Sequence, residues 1–146
     1  MKQIIGIGFL LLSKNNILTV EELKSKPALH KKAGMISFPL ETFDSEKDKN
    51  FFDTINRLLE EELGVEKEEV FIQGICPKAF NIIPNRNDIV THYGTGLFLG
   101  NPNRVFIPKD TDIRVAGWIT PEQLLKNANI RLEVHPILTH FQESKY

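Results

Sequence analysis

The stretch Phe51-Phe52-Asp53-Thr54-Ile55-Asn56-Arg57-Leu58-Leu59-Glu60-Glu61-Glu62-Leu63-Gly64-Val65 decides how the rest of the chain is read. Phe51, Phe52, Ile55, Leu58, Leu59 and Leu63 recur at i, i+1, i+4, i+7, i+8 and i+12, a wide apolar stripe at helical period. The spacing predicts a helix from about Asp48 to Leu63 with one buried face. At ~100° per residue, Arg57, Glu60 and Glu61 fall well away from the stripe's centre, whereas Glu62 falls within about 30° of it. A carboxylate on a core-facing stripe is costly unless something cationic meets it. Either the helix frays or Glu62 escapes at the margin of the stripe, or Glu61 and Glu62 together hold a hard divalent cation. Mg²⁺ suits that role, since it takes oxygen ligands and commonly only one or two protein carboxylates. Gly64 then ends the helix through its access to positive φ.

Around this segment the composition is that of an ordinary globular chain. Its 146 residues fit one domain spanning 1–146, and 41% hydrophobic with 25% charged residues excludes wholesale disorder. The single Cys76 excludes an internal disulfide framework and a Cys-based zinc site, and fits a reducing compartment such as the cytoplasm. A net charge of -1 excludes a globally basic binder of nucleic-acid polymers. That average conceals a segregation. Residues 41–69 carry eleven acids against four bases, while residues 1–32 carry six Lys against two Glu.

Met1-Lys2 followed by the apolar run Ile4–Leu12 superficially suggests a signal peptide, but no small-residue cleavage site follows, so export is not expected. The run is also far short of the ~20 residues that span a bilayer, so a buried strand is expected there and no membrane partner. Ile4–Leu12 and Ile17–Val20 flank an Asn-containing turn, Val70–Ile75 and Val90–Leu99 read as strands, and so do Val105–Ile107 and Arg114–Ile119. Thr120-Pro121-Glu122-Gln123 is a helix start with a cap, a proline at the first position and a capping-box Gln. His135-Pro136 opens a last helix through Phe141. Strands alternating with helices predict an α/β fold.

The segment Arg57–Val65 closely resembles the second half of the Nudix box, Arg-Glu-apolar-x-Glu-Glu-x-Gly-apolar, with Arg57, Leu59, Glu61, Glu62, Gly64 and Val65 matching. Gly34-Met35-Ile36-Ser37-Phe38-Pro39 is similar to the family segment that leads into a Pro-Gly-Gly turn, and Asp112–Leu124, with Trp118 at its centre, to a later acid–strand–Trp–helix passage. The resemblance implies a Nudix-type α/β/α sandwich with a mixed sheet. It also implies hydrolysis of a phosphoanhydride in a nucleoside diphosphate linked to another moiety, by Mg²⁺- (or Mn²⁺-) activated water. On that reading Arg57, Glu61 and Glu62 are catalytic. Glu61 and Glu62 hold the metal, with Asp112 as the first candidate for a further acid and Asp110 as the second. Lys31 and Lys32, with Lys24 and Lys26, would draw in an anionic substrate, and Glu41 would restore negative charge near the helix end. A homodimer is compatible with the resemblance.

The chain departs from the pattern where the chemistry is concentrated. The box's Arg-Glu is Arg57-Leu58 here, which removes a carboxylate one turn before Glu62, and Pro-Gly-Gly is Pro39-Leu40-Glu41. Counting back at the family spacing lands on Phe43 and Lys49 in place of Gly and Glu, and Glu41, Glu46 or Asp48 fits only with an insertion of about two residues. A second reading therefore stands beside the hydrolase: a catalytically reduced Nudix-like module that binds a nucleotide or another partner. Elsewhere, His30, His92, His135 and His140 lack metal-ligand spacing, and Gly6-Ile7-Gly8 and Gly94-Thr95-Gly96 read as strand glycines. Cys76 is expected to pack, as is Trp118, while Phe80 and Tyr93 could also stack on a base.

Overall fold

A computed structural model describes residues 3–144, so Met1 and Lys2 of the suggested signal segment lie outside the described residues. Strand β1 (Ile4–Ser13) turns into β2 (Asn16–Glu22), and β3 (Ile36–Ser37) and β4 (Leu40–Thr42) follow. Helix α1 (Phe51–Leu58) continues into a π turn over Leu59–Leu63; β5 (Val70–Ile75), β6 (Ile89–Phe98), β7 (Ile113–Ile119), α2 (Pro121–Lys126) and α3 (Val134–Glu143) complete the order. The sheet runs β3-β2-β1-β6-β5, with β4 on β1 and β7 on β2. It is mixed: β1 and β6 are parallel from Ile4↔Ile89 to Leu12↔Leu97, and the other strand pairings are antiparallel.

Alternation along the strands divides the core into two layers. Ile7, Phe9 and Leu11 of β1 face α1 and pack with Ile55, Leu58 and Leu63. Leu10 of β1 and Ile17 of β2 face the opposite way and pack with Leu124 of α2 and Ile137 and Leu138 of α3. The product is the expected α/β/α sandwich.

The β1–β2 hairpin is paired only at Leu12↔Ile17 and Ser13↔Asn16. Beyond that, β1 turns to β4 (Gly6↔Thr42 to Gly8↔Leu40) and β2 to β3 (Val20↔Ser37). The two strands thus part, and a cavity opens beside the gap.

Three local outcomes sharpen the reading. The helix starts at Phe51, three residues later than predicted, because Asn50 caps it by accepting from the Asp53 N–H at 3.1 Å. The capping box at Thr120 forms as expected, with Gln123 N–H to Thr120 Oγ1 at 3.1 Å and Thr120 N–H to Gln123 Oε1 at 3.0 Å. Val105–Ile107 makes no strand; Val105 and Ile107 are exposed, while Phe106 packs against Phe98 and Trp118. Trp118 is a packing residue, its Nε1–H donating to Pro102 O at 2.7 Å.

Gly64 ends the π turn at φ 66, with its N–H on Glu60 O and the Val65 N–H on Leu59 O. A Cβ there would lie 2.1 Å from Ile107 O. Gly64→Ala combines a left-handed backbone with a clash against main chain, and is expected to cost about 2 kcal/mol or more in urea denaturation. A loss under about 0.5 kcal/mol would contradict this packing.

Candidate active site

The cavity beside the hairpin gap has a volume of about 450 Å³. One wall is acidic: Glu41 from β4, Glu61 and Glu62 from the π turn, and Asp110 from the loop before β7. The lining also includes Lys26, Lys31, Arg86 and Arg131.

Arg57 organises the acidic wall. Its guanidinium reaches Asp48 Oδ2 at 2.7 Å and Oδ1 at 3.3 Å, and donates to Thr42 O at 2.8 Å. It also lies 3.3 Å from Glu41 and 3.9 Å from Glu61. Asp48 is the principal partner, 5% exposed, and also accepts from Thr54 Oγ1 at 3.0 Å. The resemblance put Arg57 among the catalytic residues and left Glu41, Glu46 and Asp48 undivided. Asp48 and Glu41 take the guanidinium, while Glu46 is exposed.

Glu62 is 8% exposed and stands in the acidic wall, as its place on the apolar stripe foretold. Burial pushes its carboxyl up to about 8, reinforced by the charges of Asp110 and Glu41 and opposed by Lys31. No Lys or Arg lies within ion-pair distance of it among the described residues. Burial and a hydrogen bond with Glu61 likewise raise Glu41 above the ordinary carboxylate range, against the pull of Arg57.

The further acid is differently placed from the first expectation. Asp112 is absent from the cavity lining: Lys24 and Lys26 hold its carboxylate at 3.0 and 2.7 Å and pull it down to about 2. Asp110, the second candidate, faces Glu62, because its N–H bonds Glu61 O at 2.9 Å and pins the loop to the helix end. Of the lysines, Lys26 and Lys31 line the cavity, whereas Lys24 and Lys32 are exposed outside it. Sequence reasoning missed Glu22 and Glu133, both buried in the cavity wall. The signal for Glu22 was its place two residues after Val20, on the core-facing row of β2.

Cys76, Tyr93 and His140 lie elsewhere, around a separate groove of about 410 Å³, with the Tyr93 hydroxyl 2.7 Å from His140 Nδ1. Burial raises the Tyr93 phenol to about 12.

The donors of the acidic wall are all hard oxygens, the chemistry Mg²⁺ or Mn²⁺ requires. Among the described residues no three Asp, Glu, His or Cys side chains converge tightly enough to hold an ion by themselves. A cation at this wall would take one or two of its carboxylates, with other oxygens completing the shell. Leu58, at the box position of the missing carboxylate, is fully buried in the core.

Neither a family model nor a curated protein matches the sequence. Solved structures do. The NUDIX domain of Shewanella oneidensis NrtR, solved with ADP ribose, aligns over 98% of this chain and 88% of its own at 17% identity and a TM-score of 0.67. A Francisella tularensis bifunctional NMN adenylyltransferase/ADP ribose pyrophosphatase, solved with AMP and a Mn ion, aligns over 97% of this chain and 41% of its own at 15% identity and TM-score 0.65. A C. elegans Ap4A hydrolase aligns over 97% and 96% at 19% identity and TM-score 0.62. The chain has the Nudix fold. No helix among the described residues is long and apolar enough to cross a membrane.

Two measurements probe this site. Asp48 is held below the ordinary carboxylate range, chiefly by its hydrogen bond to Arg57. Its stabilising contribution is therefore present above about pH 4 and lost as pH falls through the lowered folded value. Asp48→Asn should cost about 3 kcal/mol at neutral pH and flatten the acid limb of a pH–stability curve. For Glu62 the sign is reversed. The folded carboxyl keeps its proton to about pH 8, so stability is intact below about pH 4.5 and declines from there to about 8. In EDTA, Glu62→Gln should melt above wild type at pH 8 by about 4 °C or more, with the gap closing at pH 5.

Proposed function

We propose that this protein is a divalent-metal-dependent hydrolase that cleaves a phosphoanhydride in a nucleoside diphosphate linked to another moiety. The observation that carries the reading is Glu62: a buried carboxylate on a cavity wall, facing Asp110 and Glu41, with no ion-paired cation among the described residues. Such a group is costly in isolation and is accounted for if a cation joins it. The fold neighbours solved with ADP ribose or with AMP and a Mn ion, and the neighbour described as an Ap4A hydrolase, support the substrate class.

In this reading Glu61 and Glu62 would hold Mg²⁺ or Mn²⁺, with Asp110 beside them. The bound ion supplies neutralisation of the diphosphate charge and acidifies a water. Arg57 keeps Glu41 and Glu61 from separating under their mutual repulsion and holds their oxygens on one wall. Glu41, which burial and a hydrogen bond with Glu61 raise against the pull of Arg57, is the carboxylate placed to take a proton from a water at this wall. Lys31, Lys26 and Arg131, which line the same cavity and are ion-paired with Glu22, Asp112 and Glu133, would draw in the remaining phosphate charge. A reducing, cytoplasmic setting suits a chain with one cysteine.

The second reading, a nucleotide-binding module without turnover, draws on Leu58 and on the lack of a three-carboxylate convergence among the described residues. One experiment separates the two: a hydrolysis screen over nucleoside diphosphate derivatives in Mg²⁺ and Mn²⁺, comparing wild type with Glu61→Gln/Glu62→Gln. The hydrolase reading expects turnover that EDTA abolishes and the double variant lowers by about a hundredfold or more. Unchanged activity in the double variant would remove Glu61 and Glu62 from catalysis. Nucleotide binding without turnover would make the protein the binding module.

A further inference from the structure

Strand β5 is the last of its sheet, bonded to β6 on one side and to no strand on the other among the described residues. Its sequence, Val70-Phe71-Ile72-Gln73-Gly74-Ile75, contains neither a charge nor a proline, two of the devices that keep an open edge from pairing with another chain. Its one irregularity is a bulge at Gln73, between the pairs Ile72↔Gly96 and Gly74↔Thr95.

That bulge brings Phe71 and Gly74 to the same face. Phe71 lies opposite Leu97 and Gly74 opposite Thr95, two positions apart on β6, and directly opposed residues share a face. It is the face that carries the groove around Tyr93 and His140, which Gly74 and Thr95 line. Phe71 is 58% exposed there and, with Leu97 and Leu99, forms an apolar strip that reaches the sheet edge. Gly74 presents the opposite feature. A Cβ on it would meet no heavy atom within 4 Å beyond its chain neighbours, and its φ is not positive, so neither space nor backbone within the chain calls for a glycine. One edge thus carries a protruding ring and, three residues on, an open floor.

The main chain dictates how a second copy would meet this edge. Glu69 O accepts from the Leu99 N–H at 2.7 Å and the Cys76 N–H donates to Tyr93 O at 2.8 Å, so both residues bond inward to β6. Alternation from these two points, shifted at the bulge, turns Phe71 and Gly74 inward too and leaves the main chain of Val70, Ile72 and Ile75 facing out. Antiparallel pairing of two copies about a two-fold axis between Ile72 and Gln73 then opposes outward Val70 to the second copy's outward Ile75. It also opposes Phe71 to the second copy's Gly74, in the kind of pair whose side chains approach closest. A ring laid across a cross-strand glycine covers main chain that the glycine leaves bare. At each end, Glu66-Lys67-Glu68, with two acids and one base, comes towards the second copy's Lys78.

We infer that the β5 edge is a self-association surface, on which a second copy of this chain pairs antiparallel and each Phe71 seats over the other's Gly74 in the open groove. The contact is isologous and closed, since it consumes the β5 edge of both copies at once.

The test is the solution mass of the full chain by sedimentation equilibrium, with its concentration dependence. At about 100 µM wild type should sediment at twice the 16.7 kDa chain mass. Gly74→Val fills the space over the groove with a residue suited to a strand, so the chain should fold and melt as wild type while the dimer Kd rises about tenfold or more. Phe71→Lys, which removes the ring and guards the edge, should raise Kd by a similar factor. Phe52→Lys, on the exposed side of α1, should leave Kd unchanged. Wild type at the single-chain mass overturns the inference and leaves the edge to a different partner, and open-ended larger assemblies overturn it as well. So does a dimer whose Kd moves in neither Gly74→Val nor Phe71→Lys, or one that Phe52→Lys weakens equally.

Discussion

The guanidinium of Arg57 is the contact on which the acidic wall depends. It binds both oxygens of Asp48, the carbonyl of Thr42 and, at longer range, Glu41 and Glu61. Those partners come from the loop before α1, from β4 and from the π turn, so one planar, permanently charged fork ties three segments together. Lysine in its place would offer a point charge and could not span both Asp48 oxygens while reaching Glu41. Without this cation, Glu41 and Glu61 would be two carboxylates sharing a hydrogen bond in a half-buried wall. Their repulsion would spread the cavity mouth.

The fold was largely legible because its signals are local. The apolar stripe marked α1, the Thr120 box marked α2, and the unbroken apolar run Ile4–Leu12 marked a buried strand. What escaped was set by long-range pairing. Val105–Ile107 is apolar enough for a strand, yet its carbonyl side seals Gly64 and its Phe106 turns into the Phe98–Trp118 cluster, so no ladder forms. In the site, the apolar stripe singled out Glu62 as a carboxylate close to the core, although the α-helical period itself ends at Leu58. The choice between Asp110 and Asp112 could not, because it turns on Lys24 and Lys26, about 90 residues away, taking one carboxylate. Asp48 was visible as a candidate, but only its burial against Thr54 and Arg57 distinguishes it from Glu46.

The π turn alters how the missing carboxylate is understood. A wheel drawn at 100° per residue treats Leu58 and Glu62 as neighbours one turn apart on a continuous α-helix. Here the α-helical pattern ends at Leu58 and the wider turn begins at Leu59, so Glu61 and Glu62 are presented by a different geometry from the residues before them. Leu58 is fully buried and belongs to the same core cluster as Ile7, Phe9 and Ile55. It is therefore a core residue in its own right, and a carboxylate there would be desolvated among aliphatic side chains.

Negative charge at the cavity is drawn instead from separate elements: Glu41 from β4 and Asp110 from the loop that bonds to Glu61 O. This dispersal separates the site from a cage that holds an ion by itself. Carboxylates carried by one helix share its rigidity and converge on one point, whereas those carried by a strand, a turn and a loop face a common space. A cation entering that space would find one or two ligands and would need phosphate oxygens to complete its shell. Metal and substrate would then bind interdependently, each supplying what the other lacks, and affinity for the ion alone would be weak by construction.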